Sequence, residues 1–412
     1  MLADVVLGAL RSLRAHALRF ALTGMGIVWG TAMLTVMLSY TDGYQVHFRK
    51  QIDKVGPRIV WAFPGVQIKE RVGERGARPV ELENEDAAAL AALDSVEAAA
   101  PNLWVGLQIH RQGRTTKLLW TYGVAAATAA IRSIEVAEGR FIDEEDVAGS
   151  ASVVFLGDTA ARRLFGREPA VGRTVHIESL PFRVIGVGRA KGDQIVNMGP
   201  KDDELSLVPV TTAQRRFTRD DSPGVLIFAP TERGRSKEAM RHVRQVLGTR
   251  HGFRPDDDRA LSFFDIQEAA GLVDAVGLGI SVFLTSAGLI TLLVGAIGVM
   301  NIMLVVVGER TREVGLRKAI GASEGAIFVQ FLAETLAVTS LAGTLGGVLG
   351  WLGVRAMGAA IPQESIMAWR PTLEPATAVG VALVLVAVGV AAGVLPARRA
   401  ARIDPAISLR SL

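Results

Sequence analysis

No cysteine occurs among the 412 residues, so a disulfide framework and a thiolate metal site are both excluded. A GxxxxGK[ST] phosphate loop is missing as well, which removes the usual cradle for nucleotide phosphates. The glycine-bearing stretch GVGRAKG at Gly186 to Gly192 lacks dinucleotide spacing and reads as a hairpin turn after a strand. The six histidines, His16, His47, His110, His176, His242 and His251, are scattered without metal-ligand spacing. Asp256 to Asp258 reads as a solvated acidic loop rather than a calcium site, and no serine has a recognisable triad neighbourhood. Catalysis is therefore not expected, and neither a metal nor a cofactor bound by this chain.

What the chain has in excess is apolar surface. Half of its residues are hydrophobic and its mean hydropathy is +0.32, more apolar than an ordinary globular protein. Charged residues still make up 21%, so they must be concentrated in a soluble part hung on a membrane part. The formal charge of +4 does not point to nucleic acid, because the arginines cluster beside apolar runs, where membrane topology accounts for them.

Four apolar runs are long enough to cross a bilayer of roughly 30 Å. The first, Phe20 to Tyr40, lacks a cleavage site and reads as an uncleaved anchor, preceded by an interfacial helix over Leu2 to Leu18. The second, about 272–307, is apolar for roughly 54 Å of helix and should project beyond the membrane. The third, about 326–354, carries Gly343, Gly346, Gly347, Gly350 and Gly353, whose spacing lets a neighbouring helix approach closely. The fourth, about 376–395, meets Pro396 as a stop, followed by a basic tail over 396–412. The expected fold class is thus an α-helical membrane protein with four spans, one before and three after a large α+β extracytoplasmic domain over 42–271.

Within that domain Arg58 to Phe63 and Leu103 to Arg111 read as strands, and Glu83 to Leu93 as a helix. SVVFLGDTAARRLFG gives a buried strand, a turn and a short helix. Thr174 to His176 and Phe182 to Val187 pair as a hairpin around Ser179 to Pro181, and Gly224 to Phe228 precedes a helix over Ser236 to Leu247. Orientation follows from Arg11, Arg14 and Arg19, from Arg310, Arg312, Arg317 and Lys318, and from Arg398, Arg399, Arg402 and Arg410. All three groups fall on one side, which places both termini in the cytoplasm and the large domain outside.

The densely charged segment 308–324, between the second and third spans, is either a topology anchor or a short helix. As a helix it pairs Glu313 with Arg317 at i and i+4 and Glu309 with Arg312 at i and i+3. Leu316 and Ile320 share a face, and Gly321 is a natural C-cap. Within the spans Asn301 and Glu334 are the polar exceptions, and an intramembrane acid is a functional candidate by default.

GAIGVMNIMLVVVGERTREVGLRKAIGA at Gly295 to Ala322 and LPARRAARIDPAISLR at Leu395 to Arg410 resemble the MacB/FtsX-type permeases of ABC transporters. So do GRFIDEED at Gly139 to Asp146 and VVFLGDTAARRLFG at Val153 to Gly166. The resemblance covers nearly the whole chain. It implies a coupling helix for the ATPase built from Glu309, Arg310, Thr311, Arg312, Glu313, Gly315, Leu316, Arg317, Lys318 and Gly321. It further implies a periplasmic core with a porter-like part (about 42–133 and 205–271), an inserted subdomain (about 134–204), and an inner-membrane dimer. ATP and magnesium would be used by a partner ABC ATPase subunit, with a periplasmic adaptor and an outer-membrane channel as further partners. The implied function is mechanotransmission for efflux or extraction; the alternative is a signalling subunit that conveys ATPase state to a periplasmic partner without transport.

Overall fold

The computed structural model describes residues 17–71, 74–192, 194, 199–361 and 369–405. The interfacial helix expected at Leu2 to Leu18 falls almost wholly outside these residues, as do Arg11, Arg14, His16 and Arg410. The chain divides into two compact units, 1–47 with 274–412, and 48–273.

Chain order runs α1 (Ala17–Val55), β1 (Val60–Pro64), β2 (Val66–Arg71), β3 (Glu74–Pro79), α2 (Asn84–Ala91), β4 (Val96–Gln112) and β5 (Thr115–Val124). It continues with α3 (Thr128–Ile131), β6 (Val136–Gly139), α4 (Glu144–Ala148), β7 (Val153–Leu156), α5 (Asp158–Phe165), β8 (Thr174–Ile177) and β9 (Leu180–Gly188). Then come β10 (Leu205–Pro209), α6 (Val210–Ala213), β11 (Val225–Pro230), α7 (Ser236–His251) and β12 (Leu261–Asp265). Four helices close the order: α8 (Ile266–Glu309), α9 (Thr311–Ala319), α10 (Glu324–Ala360) and α11 (Pro375–Ala401).

The unit 48–273 is built on one ten-stranded sheet in the order β12-β1-β11-β4-β5-β10-β7-β9-β6, with β8 pairing β4 and β9. Alternation along β1 shows how it is clothed. Val60 and Ala62 join Leu90, Phe228, Val243 and Leu247 in a core on one face, while Trp61 joins Ile59, Ile227 and Ile266 on the other. β11 is buried at every position because helices or turns cover both faces. Residues 134–204 supply β6 to β9 at one end of the sheet; β10, running parallel to β5 and antiparallel to β7, joins them to the rest. The turn between β8 and β9 is two residues, Glu178 and Ser179, both at positive φ, as a tight hairpin of this twist demands.

One glycine-bearing stretch weighed in the sequence finds another use. GVGRAKG is not a hairpin turn. β9 ends at Gly188, and the amides of Lys191 and Gly192 donate to the carboxylate of Asp203. Beside it Asp202 accepts from Arg132 at 2.5 Å and from Lys191 at 2.7 Å. Burial alone would raise the Asp202 carboxyl, but these two cations outweigh it and hold the pKa below the usual range. In the acidic loop, Asp256 pairs with Arg254 and Asp258 with Arg244.

The unit formed by 1–47 and 274–412 contains helical stretches of α1, α8, α10 and α11. All four helices are long and apolar enough to cross a membrane. α8 spans 44 residues, roughly 66 Å, and starts earlier than its hydropathy announces because Ile266 leaves β12 directly into helix. Glycines set the helix spacing. A Cβ at Gly295 would meet the backbone of Gly26, one at Gly346 the carbonyl of Val28, and one at Gly343 the side chain of Leu385. Pro396 does not stop α11, which continues to Ala401. Lacking an N–H, Pro396 leaves the Ala392 carbonyl without its helical donor, yet the helix runs on for more than a turn. In the second half of α1, Trp369 lies between Tyr40 and Tyr44 at centroid distances of 5.1 and 5.0 Å, and Thr372 N–H donates to the Ser39 carbonyl.

Candidate functional site

Between α8 and α10 the chain makes an elbow. At Arg310 (φ −96°, ψ 13°) the helix breaks for one residue, and α9 begins at Thr311. A helix end leaves its last carbonyls unpaired, and here the Thr311 hydroxyl donates to those of Val307 and Gly308 at 3.1 and 2.8 Å. The expected helix over Glu309 to Ala322 is thus shorter, Thr311–Ala319, with Glu309 still in α8. It ends in a Schellman turn. Ala322 N–H bonds to the Arg317 carbonyl and Gly321 N–H to that of Lys318, with Gly321 at φ +106°. Ser323 then caps α10, its hydroxyl accepting from Ala326 N–H.

Three cations clasp the elbow. Arg310 Nη1 lies 3.2 Å from Oε2 of Glu334, whose side chain is 5% exposed, and Gln330 donates to the same carboxylate. Arg317 donates to Glu313 at 2.5 Å and to Gln330 at 2.9 Å. Lys318, with 12% of its side chain exposed, donates to the carbonyls of Ala401 and Ile403 at 2.8 and 2.9 Å and pairs with Glu324 at 3.3 Å. It therefore sits on the C-terminus of α11, where the helix dipole favours a cation. Inside the bend Val314 and Gly315 are buried, Val314 among Val307, Ile327, Phe331 and Ala400.

What remains outward is a small face. Leu316 and Ile320 are 54% and 80% exposed, and Glu309, Arg312 and Glu313, near them in the chain, are exposed as well, as are Arg398, Arg399 and Arg402 around the end of α11. Asn301 lies apart from this cluster, exposed on α8 more than two turns before the elbow. The i, i+4 pair Glu313 with Arg317 is legible from spacing alone. The contacts of Lys318 with 401 and 403, and of Arg310 with 334, link positions far apart in sequence, and local spacing carries no sign of them.

The MacB-like periplasmic core domain family matches residues 20–246, and the FtsX-like permease C-terminal family matches residues 285–405. The "Macrolide export ATP-binding/permease protein MacB" of an Azoarcus species is 36% identical over 411 residues, covering 98% of this chain and 58% of that protein. The protein of the same name from Wolinella succinogenes is 34% identical over 407 residues, 98% of this chain and 60% of that one. The chain thus spans about three fifths of the length of these relatives. Among solved structures, the periplasmic region of MacB from Actinobacillus actinomycetemcomitans aligns with a TM-score of 0.43 and 21% identity, covering 54% of this chain and 95% of that one. With four apolar helices, a mixed domain matched by the first family and a charged elbow within the second, this chain belongs to the MacB-like periplasmic core domain family and carries an FtsX-like permease region.

Proposed function

We propose that this chain is the membrane subunit of a MacB-type ABC transporter, and that its elbow couples ATP hydrolysis in a separate ABC ATPase subunit to movement of the large domain. The domain acts outside the inner membrane, on a substrate that is exported or extracted there. The clasped elbow carries this reading. Arg310, Arg317 and Lys318 fix α9 to α10 and α11, while Leu316 and Ile320 stay exposed in a charged segment. A topology anchor needs only the charge; a lever also needs the fixed geometry and a free apolar contact. These 412 residues carry no GxxxxGK[ST] phosphate loop, so in this reading ATP and magnesium are used by the ATPase. A dimer suits the exposed Asn301, a polar group on an apolar helix that a second copy would satisfy.

The test is co-purification of the full chain with its ABC ATPase in mild detergent. Ile320→Asp should weaken association by roughly tenfold or more, the loss typical of a central apolar contact, without altering helicity by circular dichroism. The double reversal Glu313→Arg with Arg317→Glu preserves the internal pair and inverts the surface pattern; it should likewise reduce ATPase coupling. Wild-type association and coupling in both variants would reduce the elbow to an anchor.

A further inference from the structure

A cleft of about 350 Å³ runs between α1, α10 and α11, lined by Thr31, Thr35, Gly347, Trp351, Val381 and Leu385 among others. Its size is at the lower end of small-molecule sites. Two of the glycines on α10 are explained by packing: a Cβ at Gly343 would strike Leu385, and one at Gly350 would strike Thr35 and the carbonyl of Ala32. Gly347 is different. A Cβ there would meet nothing within 4 Å, so helix packing does not require the glycine, and its absent side chain keeps the cleft open. One turn beyond Trp351, Arg355 holds its guanidinium 5.0 Å from the Trp351 ring centroid. Both side chains are exposed, and Arg355 has no ion-pair partner among the described residues. An apolar slot thus ends in an aromatic ring with a cation held over it.

We propose that this cleft binds a membrane phospholipid, one acyl chain lying along Gly347 and an anionic headgroup against Arg355. Within a bilayer, moving an alkyl chain from lipid into an apolar groove gains little, because lipid tails are as apolar as leucine. Selection must therefore come from the charged end. A tryptophan and a basic residue at one end of an apolar groove are what a headgroup at the water interface meets. Charge complementarity makes that headgroup acidic rather than zwitterionic.

The experiment is native mass spectrometry of the full chain in mild detergent, with equal amounts of phosphatidylglycerol and phosphatidylcholine bearing identical acyl chains. The wild type should retain about fivefold more of the phosphatidylglycerol adduct, the preference one basic side chain confers at a membrane surface. Arg355→Gln should bring the ratio to about one while leaving the adducts in place. Gly347→Phe should remove the excess adduct by filling the cleft, and Val348→Phe, from another lining position, serves if the first variant does not fold. Equal retention of the two lipids by the wild type, as expected if a second protein copy fills the cleft, would overturn the proposal. So would a ratio that survives Arg355→Gln.

Discussion

Glu334 is tolerated in an apolar helix because Arg310, 24 residues earlier, reaches its carboxylate at 3.2 Å and Gln330 donates alongside. Removing one partner of a buried ion pair leaves an uncompensated charge, which costs more than the pair itself contributes. Arg310→Ala should therefore lower stability by about 2–3 kcal/mol, below the fully buried case because the arginine is partly exposed. Adding Glu334→Gln should recover most of that loss, since a neutral amide needs no counter-ion. Unfolding of the full chain in mixed micelles measures both. A double variant no more stable than the single one would show that Arg310 acts through something other than this carboxylate. Sequence alone marks Glu334 as an oddity but gives no sign of its partner, because the contact depends on how the elbow folds back.

The turn that closes the elbow is more local and correspondingly more legible. Gly321 follows a helix with basic residues in its last turn, a pattern that names a C-terminal cap without coordinates. Its φ of +106° lies where a side chain is strained. Gly321→Ala should cost about 1–2 kcal/mol and lower the thermal midpoint; since a Cβ there meets nothing within 4 Å, the loss would come from backbone strain alone. An unchanged midpoint would mean that the turn relaxes freely. Other element boundaries were harder to read. Hydropathy marks where α8 is apolar but not that helix begins at Ile266, and Pro396 looks like a terminator although the helix continues to Ala401. The strand expected over Arg58 to Phe63 returns as β1, and the hairpin expected around Ser179 to Pro181 turns at Glu178 and Ser179; both depend on neighbours in the chain. The sheet order depends on distant ones.

At the scale of the molecule, α8 runs without interruption through residue 273, where the two compact units divide. If it works as a lever, its continuity matters more than its side chains there. Inserting three glycines after Val273 should leave ATPase binding intact but abolish any ATP-dependent change in protease accessibility of residues 48–273. A change that persists would place the coupling elsewhere. The sheet has a consequence of its own. β10 holds β5 on one side and β7 on the other, and β8 bonds to both β4 and β9, so residues 134–204 are woven in rather than attached. Deleting them would leave β10 with a bare hydrogen-bonding edge and invite chain-to-chain association. Transplants between relatives should succeed only when the donor segment brings a strand in register with Ser206 and Leu207 of β10, which makes this seam, rather than any loop, the natural unit of exchange in building chimeras.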